Sequence, residues 1–223
     1  MVYDTKMATS DARVSARQID LSTYARIRHA AMAGFAAKGV AATSIRDVAT
    51  SAGVSPGLVQ HHFGTKAGLR DAVNEHLLDL LAEFARELDR QSQDTQAWPR
   101  LGDTTTIWVR DNAMALRYLT RALIDGDTEA AKVFDTLVEI ARTAWLAPLD
   151  RAGGLRPEAD QEWAAIHVVV FNLASVLLES AISRQLPEPF GSPTQLQRWN
   201  TATTDLYRNG LAAPTEQPPT TRH

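Results

Sequence analysis

The residues best suited to chemistry lie close together, in the run TSIRDVATSAGVSPGLVQHHFGTK from Thr43 to Lys66. Ser55, Gln60, His61 and Lys66 carry hydroxyl, amide, imidazole and ammonium groups that donate hydrogen bonds, with Gly57 and Leu58 among them. That mixture suits a nucleic-acid duplex: donors for phosphate oxygens and base edges, and one apolar knob for a thymine methyl. It does not suit catalysis. His61-His62 has no carboxylates at metal-ligand spacing, and Asp71, Glu75 and His76 read as an exposed helix face. GTKAGL lacks the spacing and preceding strand of a phosphate-binding glycine loop, and no serine stands in a nucleophile elbow. No metal, cofactor or enzymatic activity is expected.

Two capped helices must position these groups. Thr43 and Ser44 precede the first, where a side-chain oxygen accepts from free backbone N–H groups, and Asp47 completes a capping box with Ser44. Ile45, Val48, Ala49 and Ala52 then recur at helical spacing, so one face must be buried. Gly53 stands where a left-handed helix exit is needed. Ser55 caps the second helix and Pro56 takes its first position, where a missing N–H costs nothing. Val59 and Phe63 form its buried edge. Leu58 lies about 100° away from Val59, which leaves it outside that core. Two such helices joined by a tight turn make a helix-turn-helix, whose second helix commonly enters the major groove.

The run AMAGFAAKGVAATSIRDVATSAGVSPGLVQHHFGTKAGLRDAV, Ala31 to Val73, resembles the DNA-binding domain of the tetracycline-repressor (TetR) family. Phe35, Gly39, Thr43, Ser44, Ile45, Val48, Ala49, Ala52, Gly53, Val54, Ser55, Gly57, His61, Phe63, Lys66 and Leu69 carry the match. The resemblance covers about a fifth of the chain; beyond it, only helicity and length agree. It implies a homodimer on double-stranded DNA with a palindromic operator, a small-molecule effector pocket among the middle helices, and a phosphate contact from Lys66. Two departures stand out. Gln60 replaces a frequent tyrosine and His62 another aromatic, and Pro56 replaces a frequent polar residue. The DNA-facing set is then Thr43, Ser44, Ser55, Pro56, Gly57, Leu58, Gln60, His61 and Lys66.

Bulk properties agree with a two-part helical protein. The 223 residues are 44% hydrophobic and 22% charged, ordinary for a globular chain with a real core. No apolar run approaches the ~18 residues of a membrane span. The N-terminus lacks a signal-peptide core, so a cytoplasmic location without membrane partners is expected. Zero cysteines exclude disulfides and thiolate metal sites. Net charge is −3, yet residues 1–66 carry eight Lys/Arg against four Asp/Glu, and the remainder fifteen against 22. A basic end on an acidic body is the asymmetry expected when only one end docks on phosphate.

The expected fold is all-α. Residues 1–22 lack periodicity and read as a flexible arm whose Lys6, Arg13 and Arg17 reach toward a minor groove. A helix-turn-helix domain spans residues 23–68, beginning with a helix from about Ser22 to Lys38 built on Ile27, Ala31 and Phe35. Gly39 stops that helix. Arg26, Arg28 and His29 face away from its stripe. A helical ligand-binding and dimerisation body spans residues 69–211. A long fourth helix, capped by Thr65, reaches about Arg90, and the polar Gln91–Pro99 segment marks a boundary after it. Further helices are expected near Asp103–Ala122, broken at Asn112, and at Asp127–Asp150, Pro157–Leu186 and Pro193–Leu211. Residues 212–223, with three prolines, are expected to be disordered.

The run HVVVFNLASVLLESAI, His167 to Ile182, is apolar on nearly every side and needs cover on two sides, one of them from a second chain. Leu196, Trp199, Thr203, Leu206 and Tyr207 of the last helix are expected to add to the same surface. Trp108, Met114, Tyr118, Phe134, Leu137, Val138, Trp145, His167, Phe171, Asn172 and Ser175 are the candidate pocket residues, suited to an apolar or aromatic effector. Two other readings remain open at this point: a ligand-independent architectural DNA binder, and a helical enzyme or adaptor.

Overall fold

The computed structural model describes residues 4–92, 97–147, 150 and 156–211, and all regular structure among them is helical. The chain divides into two compact units, Met1–Leu77 and Leu78–His223. The division falls inside one helix, neither at residue 68 nor in the Gln91–Pro99 segment.

The first unit holds α1 (Asp4–Ala42), α2 (Ile45–Ala52), α3 (Pro56–Phe63) and the start of α4 (Lys66–Ser92). Helix α1 begins at Asp4 rather than near Ser22, so the expected flexible arm is helical. Nothing between Asp4 and Ser22 is Gly or Pro, so the helix propagates backwards without needing an apolar face. At its other end Gly39 (φ 82°, ψ 162°) interrupts the α1 backbone where a stop was expected. Ile27, Ala31 and Phe35 are fully buried, and Val48, Ala49, Ala52, Val59, Phe63, Leu69 and Val73 complete the core. The capping box forms as read: the Ser44 hydroxyl accepts from Asp47 N, and Ser44 N donates to the Asp47 carboxylate at 2.9 Å. That backbone bond, with the serine hydroxyl, holds Asp47 below the usual carboxylate range. Gly53 (φ 65°, ψ 40°) supplies the left-handed turn between α2 and α3.

The second unit takes the rest of α4, then α5 (Ala97–Asp111), α6 (Ala113–Ile124), α7 (Thr128–Ile140), a π-helical turn (Ala141–Leu146), α8 (Gln161–Leu177), α9 (Glu179–Ser183) and α10 (Pro193–Leu211). The break at Asn112 has a local cause. Its Nδ2 donates to Trp108 O at 2.9 Å, sharing that carbonyl with its own backbone N–H, and its backbone (φ −109°, ψ 19°) departs from the helix. The expected Asp127–Asp150 run is carried by α7 and the π turn that continues it, where the Thr143 hydroxyl donates to Glu139 O at 2.8 Å, and Ala147 and Asp150 are helical. Asp160, whose carboxylate accepts from Glu162 N and Trp163 N, starts α8 later than Pro157. Leu178 (φ −97°, ψ 10°) ends α8 before Leu186. Residues 212–223 lie outside the described residues, as do residues 93–96 of the Gln91–Pro99 boundary segment, whose two ends are helical in α4 and α5.

Candidate nucleic-acid interface and effector cavity

Helix α3 is held from beneath and left open above. Val59 and Phe63 are buried, while Ser55, Pro56, Gly57, Gln60 and His61 are exposed and Leu58 is partly so. The Ser55 hydroxyl accepts from Leu58 N at 3.2 Å, which leaves its proton free to donate outward. A methyl on Gly57 would meet nothing nearer than Ser55 Oγ at 3.9 Å, so a duplex can approach the backbone there. Thr65 caps α4 by accepting from Gly68 N at 3.1 Å. Lys66 beside it donates to Ala41 O at 2.8 Å, which uses one of the three ammonium donors and fixes where the others point.

Thr43 is a correction to the DNA-facing set. It is 2% exposed, and its hydroxyl donates to Gly39 O at 2.9 Å. It closes the α1–α2 corner and has no surface for phosphate. Two residues that pattern reading passed over hold α3 and α2 in place. The Tyr24 ring stacks on Phe63 at 4.5 Å, with the Arg28 guanidinium 5.8 Å from its centroid. Arg26, expected to face away, donates from Nε to Ala52 O at 3.0 Å and so caps the end of α2. Neither contact has a local sequence signal, since each joins residues 26 or more apart.

In the second unit a cavity of about 40 Å³ lies among α4, α5, α6, α7, the π turn and α8. Of the expected pocket residues, Trp108, Leu137, Trp145 and Asn172 line it; Met114, Tyr118, Phe134, Val138, His167, Phe171 and Ser175 do not. Tyr118 is packed in the core. The Ser175 hydroxyl is spent on Asn172 O at 2.7 Å, and the residue lines a different recess. His167 and Phe171 are exposed because of the rotation of α8. Val168, Val169, Asn172, Leu173 and Val176 point inward, and Trp163, His167, Val170, Phe171, Leu177 and Leu178 share the opposite side, within about 120° of arc. Val109, Leu116, Val168 and Val169, lining residues that sequence reasoning missed, carry only the signal of ordinary core positions.

The outward side of α8 is strongly apolar. Trp163, Val170, Phe171, Leu177 and Leu178 are each about half exposed, as is Leu206 of α10. Leu196 and Tyr207, expected to join this surface, are buried within their own unit instead. Among the described residues no cluster of three His, Cys, Asp or Glu side chains could hold a metal, and no helix is long and apolar enough to cross a membrane.

Comparison with known proteins agrees with this geometry. Residues 27–73 match the family described as bacterial regulatory proteins, tetR family, and residues 111–213 match the tetracyclin repressor-like C-terminal domain. The HTH-type transcriptional regulatory protein RaaS of Mycobacterium tuberculosis is 32% identical over 144 residues, a stretch covering 65% of this chain and 65% of RaaS. The ketosteroid transcriptional regulator KstR2 of Mycobacterium tuberculosis superposes with a TM-score of 0.65 at 20% identity, covering 86% of this chain and 95% of that one. The SmeT–triclosan complex superposes at 0.63 and 21% identity, covering 90% and 96%.

Proposed function

The chain belongs to the tetR family of bacterial regulatory proteins, and from that premise we propose that it is a homodimeric repressor, released from a palindromic operator by a small apolar or aromatic effector. The observation that carries the reading is the outward side of α3: exposed, donor-rich and held rigidly by the core beneath it. Ser55, Gly57 and Leu58 meet base edges, with Pro56 shaping the approach, and Gln60, His61 and Lys66 hold phosphates, while the Ser44 hydroxyl is spent on the Asp47 carboxylate at 2.7 Å.

A second copy of the chain covers the apolar side of α8 together with Leu206. A palindrome read by such a two-fold pair presents its half-sites about 34 Å apart or somewhat wider, the spacing of successive major grooves. The effector enters the cavity of the second unit. Helix α4 contributes Phe84 and Leu88 to its wall and carries Lys66 at its first turn, so a shift of α4 links the two events. The solved complex of SmeT with triclosan supports a small-molecule effector. Release requires the effector to favour the DNA-incompetent state; a 100-fold preference corresponds to about 2.7 kcal/mol of coupling.

Selecting bound duplexes from a random pool tests the reading. A palindrome with half-sites one helical turn or more apart is expected. Equal affinity for unrelated duplexes favours an architectural binder, and an absence of salt-dependent DNA binding rejects both.

A further inference from the structure

Two polar atoms in the cavity wall have no hydrogen-bond partner among the described residues: Thr105 Oγ1 and Asn172 Oδ1. The other twelve lining residues are apolar, including Trp108 and Trp145. Asn172 has already committed one of its two amide hydrogens, which Nδ2 gives to Val168 O at 2.7 Å. A backbone carbonyl only accepts, so this bond fixes the orientation of the amide and leaves Oδ1 as an acceptor toward the cavity. The Thr105 hydroxyl can donate or accept. Buried polar groups left unpaired are destabilising, so a ligand that satisfies both gains selectivity over one that satisfies neither.

No lining residue is ionisable, and a charged ligand would lie there without a counter-ion. The cavity is also small. About 40 Å³ accommodates a water-sized molecule, so even a single ring must displace a wall side chain. Trp108 is placed to be that side chain. It is only partly buried, stacked on Phe84 at 4.4 Å and 18°, and both rings also line an open groove beside the cavity. The pair forms the partition between the two spaces.

We propose that the cavity selects a neutral phenol: its ring replaces Trp108 against Phe84, its O–H donates to Asn172 Oδ1, and its oxygen accepts from Thr105. This rests on the cavity being the effector site, and the test separates the two claims. The full chain is titrated by calorimetry with 4-ethylphenol, ethylbenzene, 4-ethylanisole and 4-ethylbenzoate. A phenol stays neutral near pH 7, like tyrosine. 4-Ethylphenol is expected to bind at least about tenfold tighter than ethylbenzene or 4-ethylanisole, which lack the donor, and 4-ethylbenzoate not at all. Asn172→Leu should erase the phenol's advantage while keeping ethylbenzene affinity, and Thr105→Val should reduce it. Should Asn172→Leu fail to fold, the probe series on the unaltered chain and Thr105→Val still decide. Equal affinity for 4-ethylphenol and ethylbenzene overturns the phenol assignment and leaves the cavity as a binding site. A preference that survives both substitutions places the phenol elsewhere and overturns it too. If none of the four probes binds, the cavity reading fails as well.

Discussion

Thr43 and Lys66 flank the same short motif, and their side chains show why residue type alone does not assign a contact. The threonine hydroxyl is consumed inside the α1–α2 corner, whereas the lysine ammonium keeps two donors free after reaching Ala41 O. Lys66→Ala should weaken binding to every duplex and flatten the dependence of log affinity on log salt by about one unit, measured by anisotropy between roughly 50 and 200 mM salt. An unchanged slope would remove Lys66 from the interface. A different residue answers to pH. The Tyr207 hydroxyl is buried with no hydrogen-bond partner among the described residues, and burial pushes its pKa up to about 12. The unfolded chain releases that proton near pH 10 and the folded chain holds it, so stability falls as pH rises from about 10 toward 12, by at most roughly 1.4 kcal/mol per pH unit. Tyr207→Phe should abolish that fall and cost little at neutrality, since no hydrogen bond is lost. Urea midpoints at about pH 8 and about pH 11 check it.

The turn between α3 and α4 is set by close approach rather than by hydrogen bonds alone. A methyl on Gly68 would stand 2.3 Å from Phe63 O, the carbonyl that also accepts from Thr65 N. Alanine there forces α3 and α4 apart, at an expected cost of about 2 kcal/mol, read as a lower melting temperature. Gly57 gives the opposite result. Its surroundings are open, so Gly57→Ala should leave the melting temperature nearly unchanged while lowering operator affinity, because the added methyl occupies the space a duplex would take. A large loss of stability in Gly57→Ala would mean that α3 has no free outer side.

At the scale of the whole molecule, α8 serves two surfaces. Its inner side closes the cavity and its outer side exposes Trp163, Val170, Phe171, Leu177 and Leu178. A contiguous apolar strip of this kind is unusual on a monomer. Val170→Glu should shift sedimentation from dimer to monomer and abolish tight binding to a palindrome, because one α3 contacts only half of it. A variant that stays dimeric at micromolar concentration would place the pairing surface elsewhere.

Sequence alone determined the elements whose causes are local. The Ser44–Asp47 box, the Ser55 and Thr65 caps, the turn at Gly53, the stop at Gly39 and the break at Asn112 each depend on neighbours within a few positions. The buried edge of α3 was equally legible, because helical spacing fixes which side must leave water. Tertiary structure decided what depends on residues far apart in the chain. Thr43 went inward, Arg26 capped a helix 26 positions away, and seven of the expected pocket residues turned from the cavity. In α8, where nearly every side is apolar, periodicity gives no rotation, and only packing against the neighbouring helices selected Asn172 for the interior and left Phe171 outside.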